Sequence, residues 1–221
     1  MTGWLHPADA DPDAAARLIL LHHAGGSATS YGPWLSLFPT DVAVQAVQLP
    51  GRHERRNEPP YTMLAPLVEA LVAELEAELD DRPYALFGHS MGAMLAYRLA
   101  NRLHPSPVVV GLSGWLPSDG RSRTPLSSDA SAALEADLAV CTDFRDDGAP
   151  VDGPAVAYAG REDALAPPED MAATWKDRCG RFHGVKTFPG DHFFLHEHAA
   201  AIANDLTQLI RREVPAWNCR T

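Results

Sequence analysis

The sequence has few cysteines and no long apolar run. Its 221 residues include only three cysteines, Cys141, Cys179 and Cys219, which lie far apart. That number and spacing fit neither a disulfide framework nor a zinc site, so we predict a protein of the reducing cytoplasm. No apolar run approaches the ~20 residues that a membrane span needs. The acidic first residues lack the apolar core of a secretory signal, so we expect neither membrane anchoring nor export.

Positive charge is also scarce. The 18 basic side chains are outnumbered by 29 acidic ones, which gives a net charge of −11. Nucleic-acid binding needs a positive surface, so this balance argues against a nucleic-acid partner. Hydrophobic residues make up 46% and charged residues 21% of the chain, values that are typical of globular proteins. A chain of this length can bury one large core, and we expect a single domain over residues 1–221.

Segments with strand and helix patterns alternate along the chain. The predicted strands are Arg17–His22, Val42–Leu49, Tyr84–Phe87, Val108–Leu112, Ala155–Ala159 and Val185–Phe188. The predicted helices are Leu64–Leu79, Met91–Leu103, Asp129–Val140, Pro168–Cys179 and Leu195–Arg212. Residues 1–16 are polar and predict a loose lead-in, and residues 114–153 predict a short, irregular cap with one helix. The alternation predicts an α/β fold whose mostly parallel sheet is flanked by helices on both faces.

A G-x-S-x-G pattern, Gly88-His89-Ser90-Met91-Gly92, is the first candidate for chemistry. The pattern alone is weak, because chance gives it to roughly one chain in fifteen of this length at ordinary glycine and serine frequencies. Here a predicted strand runs directly into it and a predicted helix runs directly out, as a nucleophile elbow requires. The flanking glycines suit a strained turn in which side chains would collide with backbone. We therefore predict that Ser90 is a nucleophile.

A serine nucleophile needs a base and an acid that orients the base. In a fold with this elbow the chain order is serine, then Asp or Glu, then His. Asp163 follows the predicted strand Ala155–Ala159, and His192 follows the next one, so we predict a Ser90–Asp163–His192 triad. Glu162 and Asp191 are alternative acids.

The tetrahedral intermediate of acyl transfer needs two backbone N–H donors for its oxyanion. One is expected from Met91, directly after the serine. The other is expected from the loop after the first strand, where we favour Ala24, with His23 as the alternative.

A histidine cluster offers a different chemistry. His192, His196 and His198 are close in sequence, and histidines at helical spacing can bind zinc. No HExxH pattern forms, however, and the triad already accounts for His192. We therefore expect no metal ion and no organic cofactor.

Four segments together resemble the type II thioesterases of polyketide and nonribosomal peptide assembly lines. They are LLHHAGGSATSYGPW, VQAVQLPGRHERRNEPP, YALFGHSMGAMLAYRLA and FPGDHFFLHEH, in the family's order and spread over about residues 18 to 200. The QLPGR segment followed by EPP is more specific than the elbow. The resemblance implies an α/β-hydrolase fold in which Ser90, Asp163 and His192 form the triad. It also implies hydrolysis of acyl groups from the phosphopantetheine thioester of acyl or peptidyl carrier proteins.

The sequence departs from the family pattern at two places. His22 stands where the family usually has proline, and the segment between Leu112 and Asp163 is short, which implies a reduced lid and an open site. The alternatives are therefore a chain-releasing or tailoring acyl hydrolase or cyclase, or a carboxylesterase of small substrates, on the same scaffold. A non-catalytic scaffold that binds carrier proteins is a further alternative from another class.

The carrier proteins on which this family acts are usually acidic. Docking of such a protein on an acidic chain would need a local basic patch. The residues proposed for this patch are Arg52, Arg55, Arg56, Arg121 and Arg123.

Overall fold

A seven-stranded sheet organises the molecule. The computed structural model describes residues 3–117 and 131–214, and within these ranges the strand order is β1-β3-β2-β4-β5-β6-β7. The strands are β1 (Leu5–His6), β2 (Ala16–Leu21), β3 (Val42–Val47), β4 (Tyr84–His89), β5 (Val109–Ser113), β6 (Val151–Gly160) and β7 (Cys179–Phe188). Among the described strands, only β1 pairs antiparallel, along β3, and the other neighbours are parallel. The predicted α/β class with a mostly parallel sheet is confirmed.

Helices cover both faces of this sheet. They are α1 (Leu64–Glu78), α2 (Met91–Ala100), α3 (Ala132–Asp143), α4 (Pro168–Arg178) and α5 (Leu195–Glu213), with 3-10 segments at Ala28–Leu37 and His53–Arg55. One apolar core lies between the sheet and α1 to α4, and the other lies between the sheet, α5 and the longer 3-10 segment. The central strands β2, β3 and β4 are buried at every position, because both of their faces are covered.

The parallel order places three loops at one edge of the sheet. Strands β4, β5, β6 and β7 are consecutive parallel neighbours, so the segments that follow β4, β6 and β7 leave from the same edge. Ser90 comes directly after β4, and Asp163 and His192 come shortly after β6 and β7. Binding sites of open α/β sheets form at this carboxyl edge.

Several predicted boundaries need correction. The lead-in is not wholly loose, because Leu5–His6 pairs with β3 and contributes to the core. Strand β7 begins at Cys179, six residues before the predicted start. The sequence did not show this start, because the edge strand is half-exposed and lacks a clear apolar pattern. The predicted helix Asp129–Val140 begins at Ala132, where the Ser131 hydroxyl accepts the Leu134 amide at 3.2 Å. Residues 129 and 130 lie outside the described ranges.

No helix in the described ranges is both long enough and apolar enough to cross a membrane. The longest, α5, carries charged side chains on its outer face and buries Ile202, Leu206 and Ile210 against the sheet. Its apolar residues therefore belong to the core.

Candidate active site

Ser90 lies in a strained turn between β4 and α2. Its φ of 56° and ψ of −117° lie outside the usual regions for a residue with a side chain. The strain is held by close backbone packing on both sides. A Cβ at Gly88 would lie 2.0 Å from the Gly92 carbonyl oxygen, and a Cβ at Gly92 would lie 1.9 Å from the Leu21 carbonyl oxygen. Only glycine fits at either position, so the sequence pattern follows directly from this turn.

His192 is held by a buried carboxylate. Its Nδ1 donates to Asp163 Oδ2 at 2.8 Å. A carboxylate can only accept, so Nδ1 carries a proton, and Nε2 is the nitrogen that accepts when the ring is neutral. The other Asp163 oxygen accepts the amides of Leu165 at 2.9 Å and Ala166 at 3.3 Å.

The surroundings of Asp163 keep it ionised. Burial is the largest influence and by itself would raise the pKa of the carboxyl group. The hydrogen bond and charge of His192, with the two backbone amides, outweigh it, so the pKa of Asp163 lies below its ordinary value. The acid is therefore an anion that orients the imidazole and can stabilise a positive charge on it.

The two alternative acids are not paired with His192. Glu162 accepts the Gly190 amide at 2.6 Å, and Asp191 accepts the Phe193 amide at 2.9 Å. Both carboxylates stabilise the turn that carries His192. The structure thus brings His192 together with Asp163, the acid that the sequence order favoured.

Ser90 and His192 line one cavity of about 230 Å³. Most of its remaining wall is apolar and comes from Met91, Trp115, Leu116, Cys141, Phe144 and Leu165. Trp115 packs edge-on against Phe144, with ring centroids 5.2 Å apart. A larger depression of about 450 Å³ lies against Trp4, Pro60 and Met63, but its lining contains neither Ser90 nor His192. An apolar wall beside a serine and an imidazole suits an acyl chain attached at a carbonyl.

The loop after β2 also lies near this site. The Gly25 amide donates to Asp137 at 2.8 Å, and the Gly26 amide donates to the His23 carbonyl at 3.0 Å. Within the described ranges, the amides of His23 and Ala24 have no hydrogen-bond acceptor in the protein. Met91 is the first residue of α2, where a helix leaves its amide without an internal partner.

His89 is a buried neighbour of the site that the sequence did not single out. Its Nδ1 lies 2.9 Å from the Ser113 hydroxyl, and its ring centroid lies 4.8 Å from that of His192. Burial is the main reason that the pKa of His89 lies well below its ordinary value, and the nearby His192 acts in the same direction. The ring is therefore neutral and packs beside His192 without adding charge.

Comparison with known proteins decides the family. A family model described as a thioesterase domain matches residues 16–146. The gramicidin S biosynthesis protein GrsT of Aneurinibacillus migulanus is 30% identical, over 88% of this chain and 88% of its own length. The chain belongs to the thioesterase family.

Solved structures agree with this thioesterase assignment. The type II thioesterase BorB from the borrelidin biosynthetic cluster superposes with a TM-score of 0.81 and 31% identity, covering 94% of this chain and 98% of BorB. RedJ, a thioesterase from the prodiginine biosynthetic pathway of Streptomyces coelicolor, has a TM-score of 0.80 and 32% identity, covering 89% of this chain and 86% of RedJ. The resemblance to type II thioesterases is confirmed, and the protein is a hydrolase that acts on thioesters.

The histidine cluster of the thioesterase is not arranged as a metal site. His198 Nε2 lies 3.0 Å from the Pro189 carbonyl oxygen, and His196 stacks on Phe193 with ring centroids 5.7 Å apart. Over residues 3–117 and 131–214, no group of three or more His, Cys, Asp or Glu side chains is placed to hold a metal ion.

The predicted basic patch is wrong for two of its residues. Arg52 is 7% exposed and pairs with Asp137, and Arg55 is 5% exposed and pairs with Glu58 at 2.5 Å. Arg55 also packs its guanidinium over the Trp4 ring, 4.3 Å from the centroid. Arg56 is exposed, whereas Arg121 and Arg123 lie outside the described residues. Arg52 is internal beside Asp137, which is 85 residues away, and Arg55 is enclosed by Trp4 and the Gln48 carbonyl, so sequence alone does not show either burial.

Proposed function

We propose that this thioesterase hydrolyses acyl groups from the phosphopantetheine arm of an acyl or peptidyl carrier protein in polyketide or nonribosomal peptide biosynthesis. The observation that carries the proposal is the geometry at one sheet edge. Ser90 occupies a strained turn in the same apolar cavity as His192, and His192 is oriented by a buried, ionised Asp163. Relatives described as type II thioesterases of such clusters support the substrate class.

In this mechanism His192 Nε2 takes the Ser90 hydroxyl proton as the serine oxygen attacks the thioester carbonyl carbon. The carbon–sulfur bond then breaks, and the proton passes to the leaving thiol. Water activated by the same imidazole attacks the acyl-enzyme and releases the free acid, which restores Ser90. Asp163 keeps the proton on Nδ1 and stabilises the imidazolium that forms in each half-reaction.

The oxyanion of each tetrahedral intermediate is held, in this proposal, by the Met91 and Ala24 amides, with His23 as the alternative to Ala24. This choice rests on which amides of the loop are still free to donate a hydrogen bond. Those of Gly25 and Gly26 are already bonded within the protein, whereas Ala24 is not. The start of α2 adds a positive helix end beside the developing charge.

The open shape of the site is part of the same proposal. One helix, α3, is described between β5 and β6. It supplies Cys141 to the cavity wall, and Phe144, which directly follows the helix, also lines the cavity. We propose that the chain acts as one domain with a short lid within residues 114–153, of which residues 118–130 lie outside the described ranges and residues 151–153 already belong to β6. An open site would also admit a nucleophile other than water, so chain release by cyclisation is the alternative outcome.

The test is release of acyl groups from a loaded carrier protein, followed by intact-protein mass spectrometry. We expect free acid from the wild type and essentially none from Ser90→Ala. Asp163→Asn should lower kcat by roughly 10³-fold or more, because the imidazole loses its orienting charge. Glu162→Gln is the matched control, since this neighbouring acid contacts only the turn, and it should retain activity within about threefold.

Three other results would contradict the proposal. Full acyl release by Ser90→Ala would remove the serine mechanism. Labelling of Ser90 by a fluorophosphonate without release from any acyl-carrier protein would indicate a hydrolase of another substrate class. A cyclic product in place of the free acid would favour the chain-releasing alternative.

A further inference from the structure

A carboxylate of α3 reaches the loop after β2. Asp137 is almost fully buried, and its Oδ2 accepts the Gly25 amide at 2.8 Å. The same side chain binds Arg52 through two hydrogen bonds, from Nη1 at 2.7 Å and from Nη2 at 2.8 Å. One acidic group of the short lid therefore contacts both the β2 loop and the segment after β3.

Arg52 completes a closed set of contacts around that loop. Its Nη1 also donates to the Gly26 carbonyl at 2.9 Å, and its Nε donates to the Pro50 carbonyl at 3.3 Å. The amide of Gly25 and the carbonyl of Gly26 are thus both held by one ion pair. These two residues directly follow Ala24, so the pair restrains the backbone next to the proposed oxyanion donor.

The lid helix also contacts the loop by packing. Gly25 has a φ of +76°, and a Cβ there would lie 3.0 Å from the Leu134 methyl group. Leu134 and Asp137 lie one helical turn apart on α3, so the helix contacts the loop with one apolar and one polar side chain. The loop conformation therefore depends on the position of α3.

A buried ion pair is an expensive way to stabilise a fold. Desolvation of both charges commonly cancels their attraction, and apolar residues of similar volume would stabilise the protein as well or better. Unlike apolar residues, the pair fixes the orientation of the loop backbone, because the carboxylate and the guanidinium bind specific backbone atoms. Orientation matters for oxyanion donors, which act only within a narrow geometry.

We propose that Asp137 and Arg52 are positioning residues. They fix the backbone of the loop after β2, which carries the proposed oxyanion donor, and they link it to helix α3 of the lid. The proposal rests on the proposed function, because it assumes that the Ala24 or His23 amide binds the oxyanion. Neither side chain touches the substrate. The pair acts through Gly25 and Gly26, and it makes the transition-state geometry dependent on α3 being in place.

The test uses a paired variant, Arg52→Met with Asp137→Leu, in the full chain. It removes both charges together, so neither is left buried alone. We expect kcat for acyl-carrier protein to fall by roughly 10- to 100-fold, less than the roughly 10²- to 10³-fold that removal of an oxyanion donor costs, because the donor is displaced and not removed. KM should change less than about threefold. Inhibition by a trifluoromethyl ketone analogue of the acyl thioester, whose Ser90 adduct carries an oxyanion, should weaken in parallel with kcat/KM.

Asp143→Asn is the matched control on the same helix. Asp143 Oδ2 accepts the Leu64 amide at 2.9 Å and so joins α3 to α1 without contacting the β2 loop. We expect it to leave kcat and ketone affinity unchanged. Thermal melting of every variant checks folding, and Asp137→Glu keeps the charge balance if the paired variant does not fold. That substitution moves the carboxylate by one methylene and should lower kcat in the same direction.

The results separate this inference from the proposed function. A folded paired variant with wild-type kcat and ketone affinity would overturn the positioning role. A higher KM with unchanged kcat would also overturn it and would assign the pair to the shape of the acyl cavity. Ser90→Ala, assayed beside them, reports on the function itself. If it is inactive while the paired variant is fully active, only the positioning role fails.

Discussion

At the scale of single residues, burial decides the protonation of the groups behind the site. His22 is fully enclosed, its Nδ1 donates to the His23 carbonyl at 2.8 Å, and its buried Nε2 has no described partner. Burial, followed by the charge of Arg52, lowers the pKa of His22 to about 4. The ring is therefore neutral in the folded protein at neutral pH.

This burial predicts an acid sensitivity that belongs to His22. The pKa of His22 is lower in the folded than in the unfolded state, so its contribution to stability is complete above about pH 6.5 and is lost as the pH falls towards about 4. The lost free energy of unfolding is about 3 kcal/mol for a shift of this size. His22→Gln lacks this component. The free energy of unfolding, measured with urea, should therefore change less between pH 6.5 and about pH 4 than it does in the wild type.

The control for this measurement is Gly180→Ala, which changes no titratable group and whose new Cβ meets nothing within 4 Å. It should keep the wild-type dependence of unfolding free energy on pH. If the unfolding free energies of His22→Gln and the wild type changed equally with pH, the role assigned to His22 would be wrong.

At the scale of elements, the β4–α2 turn determines where the nucleophile stands. Helix α2 lies so close to β4 and β2 that the Gly92 carbonyl oxygen occupies the space of a side chain at Gly88, and the Leu21 carbonyl oxygen occupies the space of one at Gly92. The pattern of glycines was visible in the sequence together with the strand and helix that flank it. The elbow could therefore be predicted from local sequence, although the contact that excludes a side chain at Gly92 comes from Leu21 of the distant strand β2.

We predict that Gly92→Ala destabilises the protein and disables the elbow together. The new methyl group would lie 1.9 Å from the Leu21 carbonyl oxygen, so α2 must move away from β2. Thermal or urea unfolding should show a loss of about 2 kcal/mol or more, and fluorophosphonate labelling of Ser90 should fall. Gly180→Ala is the matched control, because a Cβ there meets nothing within 4 Å. Wild-type stability and labelling in Gly92→Ala would refute this account.

At the scale of the whole molecule, net charge affects how readily a carrier protein associates with the enzyme. The chain carries a net charge of −11, and two of the five arginines proposed for docking are internal. An acidic carrier protein, the partner in the proposed function, would therefore be repelled over most approaches. Salt weakens such repulsion between exposed charges.

We accordingly predict that KM for an acyl-carrier protein falls by roughly threefold as salt rises from about 0.02 M to about 0.3 M. The same acyl group on a small neutral thiol should show a KM that does not change with salt. Steady-state kinetics on both substrates makes the comparison. A carrier KM that rises with salt would instead show that attraction to a basic surface dominates.

Local patterns in the chain determined the class of fold and most of the proposed chemistry. Apolar runs specified the buried strands, the glycines specified the turn at Ser90, and chain order placed Asp163 and His192 after strands of one parallel sheet. Each of these signals works because parallel strands deliver their carboxyl ends to a common edge. Strand order thus predicts a carboxylate near His192, and the structure shows that Asp163, not Glu162 or Asp191, makes the hydrogen bond.

Only the tertiary structure decided which polar groups meet across long stretches of chain. Arg52 and Asp137 are 85 residues apart, and neither carries a local pattern that marks it as buried. Leu5–His6 is a strand because β3 offers an open edge, and β7 lacks a clear apolar alternation because it is itself an edge. Such features depend on which surfaces the fold brings into contact, and that information is not present in any short segment.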